Sequence, residues 1–493
     1  MFPRRFLALR ISFCACFSFL AGRLVWWQGP RAEELAIRAC RQRLAIRAEI
    51  GKARGDFMDR NGLPLTGRVL SFGPAALRYG PRPLAAHLLG YVNPGDGRGA
   101  AGLEAACDDL LAGGPGRVVA AVVDARGRPL HGLGLRLVRL PAGRPSAVRL
   151  SLDRRIQERL EEIADRFVPK GAIVVLSPRT GEILGLVSRP GFDPDHPGDY
   201  LRREGAPFMN RATSAYAPGS IFKLVVLAAV LEERPDAFWR LYEDEGEIAL
   251  GGGLSFHCPE GSHGELTLAD ALAFSCNTTF IRLGLMLGPD RLLAMAERLG
   301  FGTQATRDLP GEDPGELPPA GGLTLGDLAN LAIGQGPLRA TPLQVARLVA
   351  AIANGGYLVT ARVLLGVEDG LGRFAPFPGP AAPRRVLSAE TARLARAMMA
   401  GVVRYGTGRA AAIPSGAAGK TGTAQTGRND ARGVPLSHAW FAGFAPVEDP
   451  QYVAVVFLEE GGSGGAAAAP VFRAVMEAVF AGAGTGTRPA RGT

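Results

Sequence analysis

The chain has 493 residues, 47% of them apolar and 21% charged, which is ordinary for a folded protein and long enough for two or three domains. The net charge of +10 comes from scattered arginines rather than blocks, with no basic stripe interleaved with aromatics; this excludes nucleic acid as the partner and suits an anionic envelope or membrane surface. Of the 56 basic residues only four are lysines, Lys52, Lys170, Lys223 and Lys420. Arginine stays protonated in proteins whereas a desolvated lysine can act as a base, so a lysine retained among arginines points to chemistry.

In chain order, the first element is a membrane candidate. Arg4, Arg5 and Arg10 precede an apolar run from Ile11 to Leu20, which continues through Leu24 and Val25 to Trp26 and Trp27. Basic residues before the run place the N-terminus in the cytoplasm, and the tryptophan pair suits the far interface. A cleaved signal peptide is the rival reading, but no small-residue cleavage site follows the run. Cys14 and Cys16 also lie inside it, not after it as a lipid-attachment cysteine would. Residues 1–28 therefore read as an uncleaved single-pass anchor, with the rest of the chain outside the cytoplasm.

Arg31 to Glu49 reads as a charged helix leaving the membrane, and Arg54 to Gly62 as a hairpin around Asn61-Gly62. Residues 29–145 form a small β-containing module, bounded near Pro141 to Pro145. A second domain spans 146–481. Within it Asp153 caps an amphipathic helix, and strands Ala172–Leu176 and Ile183–Val187 flank a tight turn. A mostly helical stretch runs from Ser220 to Met399. Strands follow around Lys420–Thr426, His438–Ala445 and Tyr452–Leu458, then a helix from Pro470 to Phe480; residues 482–493 read as a disordered tail. This order describes an α+β fold, an antiparallel five-stranded sheet flanked by helices and carrying an inserted helical subdomain. The six cysteines form no framework, and His257-Cys258 with His263 reads as a loop rather than a metal site.

Three strings carry chemistry. Pro218-Gly219 breaks the chain before Ser220, and Ile221 to Leu231 is almost wholly apolar, so Ser220 falls at the start of a buried helix. Lys223 lies one turn on, on the same face, among Phe222, Leu224 and Val225, where desolvation lowers its pKa. Alone, this pair reads as a capping serine and a snorkelling lysine. Ser275-Cys276-Asn277, at the end of a helix, adds a hydroxyl and an amide; Asn277-Thr278-Thr279 also matches a glycosylation sequon, but apolar helices flank it. Lys420-Thr421-Gly422-Thr423 reads as a strand facing a ligand. Pro414 to Thr421 nearly spells a phosphate loop, but proline stands where that loop needs glycine, and no helix-forming segment follows.

Ser-x-x-Lys, Ser-x-Asn and Lys-Thr-Gly in that order are the signature set of penicillin-recognising serine acyltransferases. With Arg54-Gly55 to Asn61-Gly62, Gly102-Leu103-Glu104, Gly334-Gln335-Gly336 and His438-Ala439-Trp440-Phe441, the chain resembles the class B, monofunctional penicillin-binding proteins over nearly its whole length. The resemblance implies D,D-transpeptidation of peptidoglycan stem peptides, covalent inhibition by β-lactam antibiotics, and work beside a membrane glycosyltransferase, with no cofactor or metal. It implies Ser220 as nucleophile, Lys223 as base, Ser275 as proton relay tuned by Lys420, and Asn277 as a hold on the peptide backbone. Thr421 and Thr423 would meet the substrate carboxylate within the Thr421-Gly422-Thr423 edge, and the N–H groups of Ser220 and Thr423 would form the oxyanion hole. A serine β-lactamase shares the strings but usually has Ser-Asp-Asn second, and needs neither anchor nor pedestal. A penicillin sensor or inert scaffold is the non-enzymatic alternative.

Overall fold

The computed structural model describes residues 2–32, 44–49, 52–67, 77–93, 97–115, 117–122, 135–139, 146–369 and 371–483. The chain divides into two compact units. The smaller comprises Met1–Ala53, Val69–Ala76 and Gly113–Arg144, and the larger Arg54–Arg68, Leu77–Ala112 and Pro145–Thr493.

In the smaller unit an N-terminal helix spans Phe2–Gln28. At 1.5 Å per residue it is about 40 Å long, enough to cross a hydrocarbon core of about 30 Å. Its segment Phe6–Gln28 has a mean hydropathy of 1.5 and buries nothing, leaving Phe13, Phe17, Leu20 and Val25 exposed. This helix fits a single-pass membrane anchor. Arg23 lies over the Trp27 ring, 5.6 Å from its centroid. The charged helix read from Arg31 to Glu49 is not what forms at its end. Leu44–Glu49 is a strand, antiparallel to Arg117–Val122, which pairs in turn with Leu135–Arg139. The partner strand is Val/Ala-rich, and pairing with it, through a bulge between Ile46 and Ala48, prevails over local charge. Residues 33–43 of that expected helix and residues 484–493 of the expected tail lie outside the described residues.

The larger unit is built on two sheets. The first joins β1 (Phe57–Met58) in parallel to β2 (Ala147–Leu150), and β2 in antiparallel to β5 (Leu364–Glu368), which pairs with β6 (Phe374–Pro376). The second contains β3 (Gly171–Leu176), β4 (Ile183–Arg189), β7 (Ala418–Asn429), β8 (Pro435–Ala445) and β9 (Tyr452–Leu458) in the order β7-β8-β9-β3-β4, all antiparallel. Ile173, Val175, Ala454 and Val456 face α1 (Arg154–Phe167) and the C-terminal α8 (Ala469–Ala483). Ala172, Val174, Val453 and Val455 face the other core, with α2 (Lys223–Glu233) and α6 (Pro342–Ala353). Both faces of the sheet are covered, which is why β3 and β9 read as unbroken apolar runs instead of alternating. Asp153 caps α1 as expected, accepting from the N–H groups of Arg155 and Ile156.

The stretch between β4 and β7 holds α2, α3 (Leu268–Ala273), α4 (Asn277–Arg298), α5 (Leu325–Ala332), α6 and α7 (Ala389–Arg404). It is less purely helical than its sequence suggests. Leu241–Asp244 pairs with Gly264–Thr267, Glu247–Gly251 with Leu254–His257, and β5 and β6 belong to it as well. The larger unit also takes in Arg54–Arg68 and Leu77–Ala112, which precede the boundary read at residue 145. A buried ionic cluster binds these segments to each other. Glu104 accepts from Arg54 Nε at 2.7 Å, Arg78 Nε at 2.5 Å and the Tyr79 hydroxyl at 3.0 Å.

Candidate active site

The three strings converge where the inserted helices meet the edge strand β7. Ser220 lies in the 3-10 turn Gly219–Phe222, which runs directly into α2. The turn is tied down from two sides: Gly219 donates its N–H to the Gly334 carbonyl at 2.9 Å, and Trp440 Nε1 donates to the Ala217 carbonyl at 3.1 Å. Gly219 has φ +54, and a Cβ there would sit 2.5 Å from the Thr423 carbonyl; a Cβ at Gly422 would come within 2.9 Å of the Pro218 carbonyl. The turn and β7 therefore approach backbone to backbone, as only glycine permits. This brings Ser220 alongside the Thr423 backbone.

Lys223, the first residue of α2, is fully buried. Its Nζ donates to the Ser275 carbonyl at 2.6 Å, to Asn277 Oδ1 at 2.7 Å and to Ser275 Oγ at 3.2 Å. Lys420, also fully buried, donates to the same Ser275 hydroxyl at 2.8 Å and to the Thr421 carbonyl at 3.0 Å. One hydroxyl thus bridges two ammonium groups. Among the described residues neither lysine has a carboxylate at ion-pair distance, so neutral acceptors alone stand in for the lost hydration. Burial lowers Lys223 to about 7, against a weaker opposing pull from Cys276, Cys258 and Asp244. Burial also lowers Lys420 well below its ordinary range, and the charge of Lys223 pushes it the same way.

The backbone at Ser275 explains how its hydroxyl and carbonyl both reach this centre. Helix α3 ends with Ser275 N–H on the Leu272 carbonyl and Cys276 N–H on the Ala271 carbonyl, the paired bonds of a Schellman cap. The left-handed position of that cap, normally glycine, is Ser275 with φ +57. A side chain there costs of order 1–3 kcal/mol and is kept where the group it carries is needed. Cys276 then caps α4, accepting the Thr279 N–H on Sγ, and places Asn277 at the first turn. Asn277 is held at both ends, with Oδ1 on Lys223 and Nδ2 on the His257 carbonyl at 2.8 Å.

Of the expected site residues, Lys223, Ser275, Asn277 and Lys420 are in direct contact, with Ser220 in the turn that precedes Lys223. Thr423 is exposed, and its hydroxyl accepts the Gly464 N–H at 3.2 Å. Thr421 is buried, and its hydroxyl lies 2.7 Å from Thr407 Oγ1. Thr407 is the neighbour that sequence reading missed. Its N–H also bonds the Ala273 carbonyl at 3.0 Å, so the loop after α7 ties the end of α3 to β7. The signal available was the Gly-Thr-Gly string at 406–408, where a Cβ on Gly406 would lie 2.2 Å from the Ala273 carbonyl. A cavity of about 1590 Å³ elsewhere in this unit, lined by Tyr79, Glu158, Arg189 and His196 among others, includes none of the site residues.

Chemically, the arrangement is a serine in the turn that leads into a buried lysine of lowered pKa, with a second hydroxyl bridging two lysines. Residues 171–477 match the family described as the penicillin binding protein transpeptidase domain. The chain is 33% identical over 405 residues to stage V sporulation protein D of Bacillus subtilis, covering 79% of this chain and 61% of that one. It is 33% identical over 340 residues to peptidoglycan D,D-transpeptidase PbpA of Mycolicibacterium smegmatis, covering 63% and 67%. The chain therefore spans roughly three fifths to two thirds of the length of these relatives. Among solved structures, the D,D-transpeptidase domain of a peptidoglycan glycosyltransferase from Eggerthella lenta is similar at a TM-score of 0.73 and 28% identity, over 89% of this chain and 100% of that one. The penicillin G acyl-enzyme complex of penicillin-binding protein A from M. tuberculosis is similar at 0.72 and 28%, over 87% and 100%.

Proposed function

The chain belongs to the penicillin-binding protein transpeptidase family, and from that premise we propose that it is a peptidoglycan D,D-transpeptidase acting through an acyl-enzyme on Ser220. The observation that carries this reading is the Ser275 hydroxyl held between two buried lysines beside the Ser220 turn. In the proposed cycle Lys223, once neutral, takes the Ser220 proton as Oγ attacks the penultimate D-Ala carbonyl of a stem peptide. The oxyanion rests on the N–H groups of Ser220 and Thr423. The proton reaches the departing D-Ala amine through Ser275, whose hydroxyl Lys420 polarises. Asn277 orients the peptide backbone, and Thr421 and Thr423 lie toward the terminal carboxylate. The acyl group then passes to an amine on a neighbouring strand. A β-lactam reacts at the same serine.

The N-terminal helix anchors the domain on the outer face, next to a membrane glycosyltransferase that supplies nascent strands. The basic residues before the apolar run support this orientation. Residues 29–145 serve as its pedestal and 146–481 as the transpeptidase domain.

A β-lactamase needs a further base, typically a carboxylate, to aim water at the acyl-enzyme. The buried acid that acts on Lys223, Asp244, is fully engaged. It accepts from Thr278 Oγ1 at 2.7 Å, from the Gly246 N–H at 3.0 Å and, through its other oxygen, from His263 Nδ1 at 2.6 Å. The adduct with penicillin should therefore persist for many minutes. Time-resolved mass spectrometry of the labelled protein tests this: loss of the adduct within seconds would replace the transpeptidase with a lactamase.

A further inference from the structure

The loop 405–408 after α7 carries a hydroxyl that the cycle above does not use. On one side the loop is tied to the end of α3. Thr407 gives the Ala273 carbonyl both its N–H, at 3.0 Å, and its O–H, at 3.3 Å, and the Tyr405 hydroxyl donates to Asp270 Oδ1 at 3.1 Å. On the other side the Thr407 hydroxyl lies 2.7 Å from that of Thr421. Thr421 and Thr423 are two positions apart on a strand, so they project from the same face of β7. The turn Gly464–Ala468 closes that face. Gly464 gives its N–H to Thr423 Oγ1 at 3.2 Å, and a Cβ on Gly465 would lie 2.7 Å from the Thr407 carbonyl and 3.9 Å from Thr421 Cγ2. Three hydroxyls thus border one glycine-lined corner of the site, with Thr421 buried, Thr407 half-buried and Thr423 exposed. Among the described residues neither Thr407 nor Thr421 bonds a charged side chain through its hydroxyl.

A hydroxyl has one proton and two lone pairs, and a carboxylate only accepts. Across the 2.7 Å contact one threonine therefore donates and the other accepts, which leaves two arrangements. In the first, Thr407 donates to the Ala273 carbonyl and Thr421 donates to Thr407. The single proton of Thr421 then points away from any ligand. In the second, Thr407 donates to Thr421, and Thr421 is free to donate outward. The second arrangement orphans nothing, because the Ala273 carbonyl keeps the Thr407 N–H. It also exchanges a 3.3 Å bond for one of 2.7 Å.

We propose that Thr407 is a positioning residue for recognition of the substrate's terminal carboxylate, turning its hydroxyl from Ala273 to Thr421 so that Thr421 donates to the carboxylate; this rests on the reading of Thr421 as a carboxylate contact. No proton changes owner, since each hydroxyl keeps its own and only rotates. The result is a chain from Thr407 through Thr421 to the carboxylate. Each bond in such a chain polarises the next, and the last one is strengthened by the ligand's charge. An uncharged end, such as an ester, draws less from the chain. Thr407 thereby favours substrates with a free carboxylate without touching the reacting carbonyl.

The test uses the full chain in detergent and two thioester probes. One is an N-acyl-D-alanyl thioglycolate ending in a carboxylate, the other its methyl ester, and each is followed by loss of thioester absorbance. In Thr407→Val, which keeps the side-chain shape, the ratio of kcat/KM for the carboxylate probe to that for the ester should fall about tenfold, as for loss of a hydrogen bond to a charged group. The change should lie in KM rather than kcat. Thr407→Ser should keep the parent ratio. In a Thr421→Val background the same Thr407→Val change should move the ratio less than about twofold, because the two hydroxyls act as one unit. If Thr407→Val does not fold, Thr407→Ala carries the same comparison. Equal losses on both probes would make Thr407 a brace for α3 and overturn the proposal. An unshifted ratio in Thr407→Val overturns it too, as does a full loss in the Thr421→Val background. A parent protein that is acylated equally by both probes overturns the carboxylate seat and the proposal, and spares the transpeptidase reading. A parent that is acylated by neither probe nor by a fluorescent penicillin overturns both.

Discussion

Two places in the larger unit bury a pair of cations, and they treat the charge in opposite ways. At one, Arg54 and Arg78 converge on Glu104, whose carboxylate takes both guanidinium groups and the Tyr79 hydroxyl. Burial works against the charge on Arg54, yet Glu104 and Asp108 outweigh it and hold its pKa above the usual value. At the other, Lys223 and Lys420 converge on Ser275, which offers a neutral hydroxyl. Burial there outweighs the opposing interactions, and both lysines are pushed toward losing a proton. The first cluster fixes charge and so holds segments in place. The second loosens protons and so can move them. A guanidinium suits only the first role, and positions 223 and 420 carry two of the four lysines in a chain whose other basic residues are arginine.

Substitution separates the two clusters, and the largest effect should come from Ser220→Ala. It removes the hydroxyl of the proposed nucleophile, and covalent penicillin labelling should vanish while thermal unfolding stays as in the parent. Labelling that survived would take Ser220 out of the nucleophile's role. Lys223→Arg keeps the charge and loses the lone pair. Acylation should fall below a tenth of the parent rate, a barrier increase above about 1.4 kcal/mol; a smaller loss would make Lys223 a fixed charge like Arg54. The pH profile sharpens the same point. With Lys223 as the proposed base, the rate should rise with pH through about 7 and level off above it. A flat profile between pH 6 and 8 would remove the base from this position.

Glu104→Ala acts on the other cluster. It leaves two buried guanidinium groups without their shared carboxylate, which costs about 3–5 kcal/mol of stability. The melting temperature should drop, while the molecules that remain folded acylate at the parent rate. A loss of acylation per folded molecule would tie the ionic cluster to the chemistry. Removing Met1 to Trp27 should change acylation least of all. The truncated protein should react with penicillin and no longer sediment with membranes, and salt-resistant sedimentation would point to a second insertion surface.

The sequence by itself determined the elements whose patterns are local. Asp153 at the head of an amphipathic repeat, the unbroken runs of β3 and β9, the apolar length of the N-terminal helix and the three signature strings in order could all be read from spacing and side-chain chemistry. The short strands between 241 and 267 could not, because they are only four or five residues long and mostly exposed, so little apolar burial marks them. Nor could the strand at Leu44–Glu49, whose pairing with Arg117–Val122 overrides a charged, helix-like stretch. Only the tertiary structure decided what the strings do to one another. Ser275 bridges two lysines that lie 52 and 145 positions away in the chain. Thr407 meets Thr421, and Cys258, dismissed as a loop residue, lies 3.7 Å from Cys276. Contacts of that kind depend on where helices end and which backbone atoms can come close, as Gly219 and the left-handed Ser275 do here. A pKa follows from that enclosure, because desolvation is a property of the folded interior and not of the residues next in line.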